Sequence, residues 1–340
     1  MKIAAAALAI ALALTLGVVF LAPMPRFESK PQPAASFAAA LEKFSALREA
    51  ESALPLRPEG ASRLLHHGRK TPRAFVLLHG LTNCPEQFAL LASQLHATGA
   101  NVVIPRARLA GFSDRLNGEH GLQSSQDLLD QASAGLDIAA GLGDHTTLVG
   151  LSGSAVAALW TAQHRDGIDT LVLLAPFFGF AKGHPALIDA AASLLARLPN
   201  VYVWWDPVQK ENLPGPPHAY PRFGTRSVAE CLLLSRDVRT RLESHPPRTR
   251  KIIFATTEGD PAANNPLTAS IADRLAALHG PEIIRHEFPK HSAVPHDMVD
   301  PAQPHAKTST VYPVLLSLMD VSPAPPAEVF SGNTTPPAAH

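Results

Sequence analysis

Five short, predominantly apolar runs punctuate the middle of this chain, at residues 74–78, 101–104, 146–151, 169–174 and 251–255, and a last strand-like run of mixed character follows at 283–288. A run of four to six such residues bounded by turn signals marks a strand buried on both faces. Helix-like stretches separate the runs, expected at about 85–98 with Gly99 as a stop, 125–140, 154–165, 267–278 and 308–320. Strands alternating with helices assemble as βαβ units, so the chain reads as α/β, with a parallel sheet covered on both faces. At 340 residues and 46 % hydrophobic content it is long enough for one large domain with an insertion.

The ends differ from this body. Residues 3–22 carry no charge and are dominated by Ala, Leu, Ile and Val, a length sufficient to cross a hydrocarbon core as a helix. The run ends in Leu21-Ala22-Pro23-Met24-Pro25 with no Ala-x-Ala site directly before it, so an uncleaved signal anchor is favoured over a cleaved signal peptide. The body is therefore expected outside the cytoplasm, attached to a membrane through residues 1–22, or else secreted after cleavage; in a bacterium it would be periplasmic. Residues 23–60 read as a Pro-rich linker followed by an amphipathic helix in which Phe37, Leu41, Phe44 and Leu47 recur at helical spacing. The domain proper is expected over 61–320 and a disordered Pro/Ala-rich tail over 321–340. Between about 177 and 249 the alternation breaks into a stretch rich in Trp, Tyr and Pro, with helices near 186–198 and 227–242. An insertion after a strand's carboxyl end commonly forms a lid or substrate pocket.

Chemistry concentrates at the strand ends. Gly150-Leu151-Ser152-Gly153-Ser154 joins the strand at 146–151 to the next helix. A serine on such a sharp turn has its hydroxyl lifted clear of the backbone, and the helix N-terminus supplies N–H groups for an oxyanion. Ser154 replaces the last glycine of the G-x-S-x-G pattern; it is small enough for a strand–helix crossing, and its hydroxyl is available to cap the helix. A serine nucleophile needs a base and an acid to orient that base. Glu258-Gly259-Asp260-Pro261 follows the strand at 251–255, and a loop with His291 and His296 follows the strand at 283–288. The order serine, acid, histidine, with the acidic and histidine loops one strand–helix unit apart, is far more specific than the pentapeptide. Upstream, Leu77-Leu78-His79-Gly80-Leu81-Thr82 closes an early strand with a histidine–glycine turn, where His79 is expected to serve as a hydrogen-bonding support.

These motifs, LLHGLT at 77–82, GLSGS at 150–154, TTEGDP at 256–261 and VPHDM at 294–298, resemble those of the α/β-hydrolase superfamily, within it the serine carboxylesterase and monoacylglycerol-lipase-like branch. The resemblance spans residues 74–298. It implies an α/β-hydrolase fold with a mostly parallel eight-stranded sheet, flanking helices and a lid-like insertion. It also implies Ser152 as nucleophile, Asp260 as acid, His296 as base, and the backbone N–H groups of Leu81 and Gly153 as the oxyanion hole. Glu258 competes with Asp260, and His291 with His296; the resemblance favours Asp260, since the family's acid usually sits in a Gly-x-x-Asp or similar turn, and the His-Asp-Met sequence favours His296.

Other classes are less well supported. Twenty-nine basic residues balance twenty-nine acidic ones, so no net field recruits nucleic acid. Neither a cofactor nor a metal is expected. His286-Glu287 followed by His291 misses the zinc-protease spacing by one residue, and Pro289 breaks any helix there. No phosphate-binding glycine loop occurs, and the two cysteines, Cys84 and Cys231, form no C-x-x-C pair. The expected function is hydrolysis of carboxylic esters, with lipophilic acyl esters as the small-molecule partners. Acyl transfer on the same fold and a silent membrane-tethered binding domain are the alternatives. Oligomeric state is left open by the sequence.

Overall fold

A computed structural model describes residues 26–321 and scattered positions between 6 and 17. The expected anchor over 1–22 lies largely outside the described residues, and the tail from 322 lies outside them entirely. Among the described residues no helix is long and apolar enough to cross a membrane.

The continuously described body, from residue 26, has as its first helix α1 (Phe37–Ser52), N-capped by the Ser36 hydroxyl. Then come β1 (Arg63–Leu65), β2 (Thr71–Leu78), α2 (Ala89–Ala97), β3 (Asn101–Ile104), α3 (Ser125–Leu142), β4 (Gly143–Leu151), α4 (Gly153–His164) and β5 (Thr170–Leu174). The stretch before the next sheet strand holds α5 (Pro185–Leu195), a small antiparallel ribbon of β6 (Tyr202–Trp204) and β7 (Arg222–Gly224), and α6 (Thr225–Thr240). The chain returns through β8 (Lys251–Thr257), α7 (Asn265–Ala277), β9 (Glu282–Phe288) and α8 (Thr308–Leu318). The main sheet runs β1-β3-β2-β4-β5-β8-β9, and only β1 is antiparallel to its neighbour.

The sheet has seven strands among the described residues, one fewer than the resemblance implied. Ahead of β1 the chain is committed to α1, which the Ser36 cap and a buried ion pair fix in place. Glu51 accepts from Arg106 Nε at 3.2 Å and from Ser62 N and Oγ at 2.9 and 2.6 Å. Between α1 and β1 the chain pairs only once, in an isolated antiparallel bridge of Leu56 with Phe112 outside the sheet.

The period-two pattern of the strands builds two cores. Ala74, Val76 and Leu78 of β2, with Leu148, Leu171, Leu173, Ile252 and Phe254, pack beneath α1, α3, α4, α6 and α7. The alternate residues, Phe75 and Leu77 with Val149, Val172, Leu174 and Ile253, pack beneath α2 and α8. Helix α3 passes into β4 without a loop, and Gly143 makes this feasible because a Cβ there would lie 2.5 Å from Ala74 N. Asn101 Nδ2 and Thr71 Oγ1 donate to the Leu142 carbonyl at 2.8 and 3.3 Å, satisfying the helix end. The Pro-rich stretch before α1 lies against the body: Gln32 N and Ala34 N both donate to Asp137, and Phe27 meets Trp160 edge-on.

Candidate active site

Strand β4 and helix α4 are joined by Ser152 alone, held at φ 57° and ψ −118°. A non-glycine residue there costs about 1–3 kcal/mol and persists only when its surroundings dictate it. They do: Ser152 N donates to Leu174 O at 2.9 Å, and the Ser152 carbonyl accepts from Ala155 N and Phe177 N, each at 3.1 Å. The crossing is as tight as the sequence pattern requires, since a Cβ on Gly150 would sit 2.6 Å from the Ser154 carbonyl oxygen. Ser154 is fully buried, and its hydroxyl donates to the His79 carbonyl at 2.6 Å instead of capping the helix. Pointing inward, that hydroxyl cannot meet a substrate. The departure from glycine thus becomes a tie between α4 and the turn after β2.

His296 lies in the loop after β9. Its Nε2 stands 3.0 Å from Ser152 Oγ, and its Nδ1 stands 2.7 Å from Asp260 Oδ2. The remaining Asp260 oxygen accepts from Ala262 N at 2.8 Å and Ala263 N at 3.1 Å. Burial pushes the Asp260 carboxyl up, but the bonds from His296 and the two backbone amides outweigh this and hold it below the ordinary aspartate value. An ionised Asp260 accepts the Nδ1 proton, which leaves Nε2 free to accept from the Ser152 hydroxyl. Glu258 is exposed and accepts from Lys290 N at 2.8 Å, bracing the loop at a distance from this chain of bonds. His291 is likewise exposed, in a short 3-10 turn over Lys290–Ser292.

Gly153 opens α4, so its N–H has no acceptor within the helix. A Cβ on Gly153 would lie 3.7 Å from Leu81 Cβ, which places Leu81 beside the helix N-terminus. His79 underlies this turn with no exposure at all. Its Nε2 accepts from Ala107 N at 3.1 Å, so its Nδ1 carries the proton and donates to the Gly80 carbonyl at 3.0 Å. His79 is thereby a structural ring, as expected, and faces no substrate.

The segment between β5 and β8 sits over this site. Ile188, Ala192, Val228, Leu232 and Leu233 form an apolar cluster against which Leu81 and Phe177 pack. Both cysteines are free and buried, and burial drives each thiol up to about 12, so neither is poised as a nucleophile.

Buried histidines make the fold acid-sensitive. Desolvation lowers His79 and His120 from the ordinary 6.5 to about 4. The unfolded chain takes up these protons below 6.5 while the folded chain does not until about 4, so stability declines as pH falls through that window. His79 alone accounts for about 3 kcal/mol of this decline. Urea midpoints measured at pH 7.5, 5.5 and 4.5 should fall in that order.

Comparison with known proteins agrees with this architecture. The sequence matches the family model described as serine aminopeptidase, S33, over residues 69–259. No curated protein matches the sequence. Among solved structures, a monoacylglycerol lipase from Paleococcus ferrophilus superposes with a TM-score of 0.59 at 16 % identity, covering 77 % of this chain and 98 % of the lipase. A soluble variant of monoglyceride lipase from Saccharomyces cerevisiae, in complex with a substrate analogue, gives 0.58 at 13 % identity, covering 76 % of this chain and 90 % of that one. The family match spans more than half of the chain and coincides with the sheet order, the elbow and the overlying segment, and on this basis the chain belongs to the serine aminopeptidase S33 family of α/β hydrolases.

Proposed function

We propose that this hydrolase cleaves carboxylic esters bearing a lipophilic acyl group, with Ser152, His296 and Asp260 as its catalytic triad. The observation that carries the reading is the continuous hydrogen-bonded line from Ser152 Oγ through His296 to Asp260, mounted on a backbone turn held at positive φ. Ser152 Oγ attacks the acyl carbonyl while His296 Nε2 accepts its proton. The carbonyl oxygen, now an oxyanion, receives hydrogen bonds from Leu81 N–H and Gly153 N–H. His296 returns the proton to the departing alcohol, leaving an acyl-serine. Water, deprotonated by His296, then attacks the acyl carbon, the bond to Ser152 Oγ breaks as His296 returns the proton to Oγ, and the acid is released. Throughout, Asp260 holds the imidazole in the tautomer required and stabilises the imidazolium.

The lipophilic acyl group is inferred from the wall above the site, where Leu81 and Phe177 face the apolar cluster of α5 and α6. Two similar structures named as monoacylglycerol and monoglyceride lipases support the same substrate class. The apolar stretch over residues 3–22 supports attachment to a membrane, with the hydrolase body outside the cytoplasm. Parallel assays with p-nitrophenyl esters of rising acyl length, monoacylglycerols and amino-acid arylamides test the reading. Esters should be hydrolysed with a preference for medium or long chains, and arylamides far more slowly. Efficient arylamide cleavage without ester cleavage would replace this reading with a peptidase.

A further inference from the structure

The Leu81 N–H can serve an oxyanion only if the glycine before it is fixed, because Gly80 has no side chain to restrict its own rotation. Both of its peptide groups are held. The Gly80 carbonyl accepts from His79 Nδ1 at 3.0 Å and from Asn83 N at 3.1 Å. The Gly80 N–H donates to Gln87 Oε1 at 2.7 Å. Gln87 is 2 % exposed and sits on the 3-10 turn Pro85–Phe88, whose amide at Gln87 closes onto the Cys84 carbonyl. The other end of the same carboxamide, Nε2, donates at 2.8 Å to Asp297 Oδ2. Asp297 is the neighbour of His296, and its Oδ2 also accepts from Gln303 Nε2 at 2.7 Å and Asn83 Nδ2 at 3.5 Å. One buried side chain thus touches the turn that presents Leu81 and the loop that presents His296.

We propose that Gln87 is a positioning residue for the hydrolytic site, its carboxamide fixing the Leu81 N–H relative to His296 by bridging the Gly80 N–H to the Asp297 carboxylate. The chemistry of the two ends dictates the side chain. An N–H at one end needs an acceptor and a carboxylate at the other needs a donor, and a carboxamide supplies both. Leucine satisfies neither end. Glutamate satisfies Gly80 but turns an oxygen toward Asp297, and burial together with nearby Asp300 already pushes the Asp297 carboxyl upward. The bridge joins residues more than two hundred positions apart, so it couples two loops that carry separate parts of the site.

The inference rests on the serine-hydrolase reading, and the test separates the two. Parent, Gln87→Leu, Gln87→Glu, Asp297→Asn and the Gln87→Glu/Asp297→Asn pair are compared for kcat and KM on a soluble aryl ester, for thermal midpoint, and for the rate at which a fluorophosphonate labels Ser152. Gln87→Leu should lose roughly 10- to 100-fold in kcat, somewhat less than deletion of an oxyanion donor itself, with KM within about twofold. Labelling should slow in parallel. Gln87→Glu should lose at least as much, and adding Asp297→Asn should recover part of that loss by reversing the polarity of the bridge, with the Gln303 carboxamide turning its oxygen toward the new amide. A purely structural role would make kcat follow the folded fraction and would give no such recovery. Should Gln87→Leu fail to fold, recovery of Gln87→Glu by Asp297→Asn supports the bridge and its absence overturns it. Equal labelling rates in parent and a folded Gln87→Leu overturn the bridge alone; a parent that neither hydrolyses the ester nor labels at Ser152 overturns the hydrolase reading and the bridge with it.

Discussion

Ser152→Ala is expected to reduce kcat for ester hydrolysis by about 10⁴-fold or more, with little change in thermal midpoint. The size follows from the role. Without Oγ there is no acyl-enzyme, and what remains is the contribution of the oxyanion N–H groups and of substrate binding to attack by water. The unchanged midpoint follows from the backbone. Alanine meets the same restriction as serine at φ 57°, and the bonds from Ser152 N and to its carbonyl are made by main-chain atoms. The Ser152 hydroxyl is bonded to His296, so its loss removes one partly exposed hydrogen bond and no packed volume. Steady-state hydrolysis together with a melting curve checks both halves. A residual rate within tenfold of the parent would remove Ser152 from the mechanism.

Asp260→Asn is expected to cost a comparable amount, about 10⁴-fold in kcat, while leaving the fold in place. The asparagine Oδ1 can still accept from Ala262 N and Ala263 N, so the turn that carries it survives. Its amide nitrogen, however, now points at His296 Nδ1 as a donor. The imidazole must then carry its proton on Nε2, facing Ser152, and can no longer accept the hydroxyl proton. Loss of activity at an unchanged melting temperature separates this tautomer effect from unfolding. Asp260→Ala makes a useful contrast, because it removes the acceptor for the two backbone N–H groups as well and should lower the midpoint as well as kcat.

Much of the architecture is legible in the linear sequence, and the reasons are physical. Strands buried on both faces have to be nearly continuous apolar runs, so β2, β3, β4, β5 and β8 can be placed to within a few residues of their observed ends, whereas β9 is a partly exposed edge strand that only its place after α7 in the alternation marks out. Helix α1 announces itself through Phe37, Phe44 and Leu47, which pack on the core. Strand β1 carries no such mark. It is a three-residue edge strand, partly exposed throughout, and only its pairing with Val102–Ile104 makes it a strand. The ribbon is hidden for a similar reason, since Tyr202–Trp204 pairs with a segment some twenty residues away across a Pro-rich loop.

Within the site, spacing along the chain shows which strand ends carry a serine, carboxylates and histidines, because those loops must converge at one edge of a parallel sheet. Spacing does not show where a side chain points. Glu258 and Asp260 are two residues apart on one loop, yet one carboxylate turns outward to Lys290 N–H and the other inward to His296. The same blindness applies to Ser154, whose neighbours fit a helix cap equally well until its hydroxyl is seen to reach His79 O. The Gln87 bridge leaves no local trace at all, being made of an ordinary glutamine and an aspartate from opposite ends of the domain.

The central claim is that Ser152, activated by His296, is the nucleophile of this hydrolase. The most direct measurement is to treat the intact protein with a fluorophosphonate and locate the adduct by peptide mass spectrometry. The account predicts one stoichiometric adduct, on Ser152, absent from Ser152→Ala and greatly slowed in Asp260→Asn. An adduct on Ser154 or another residue, or ester hydrolysis that continues with Ser152 unlabelled, would contradict it.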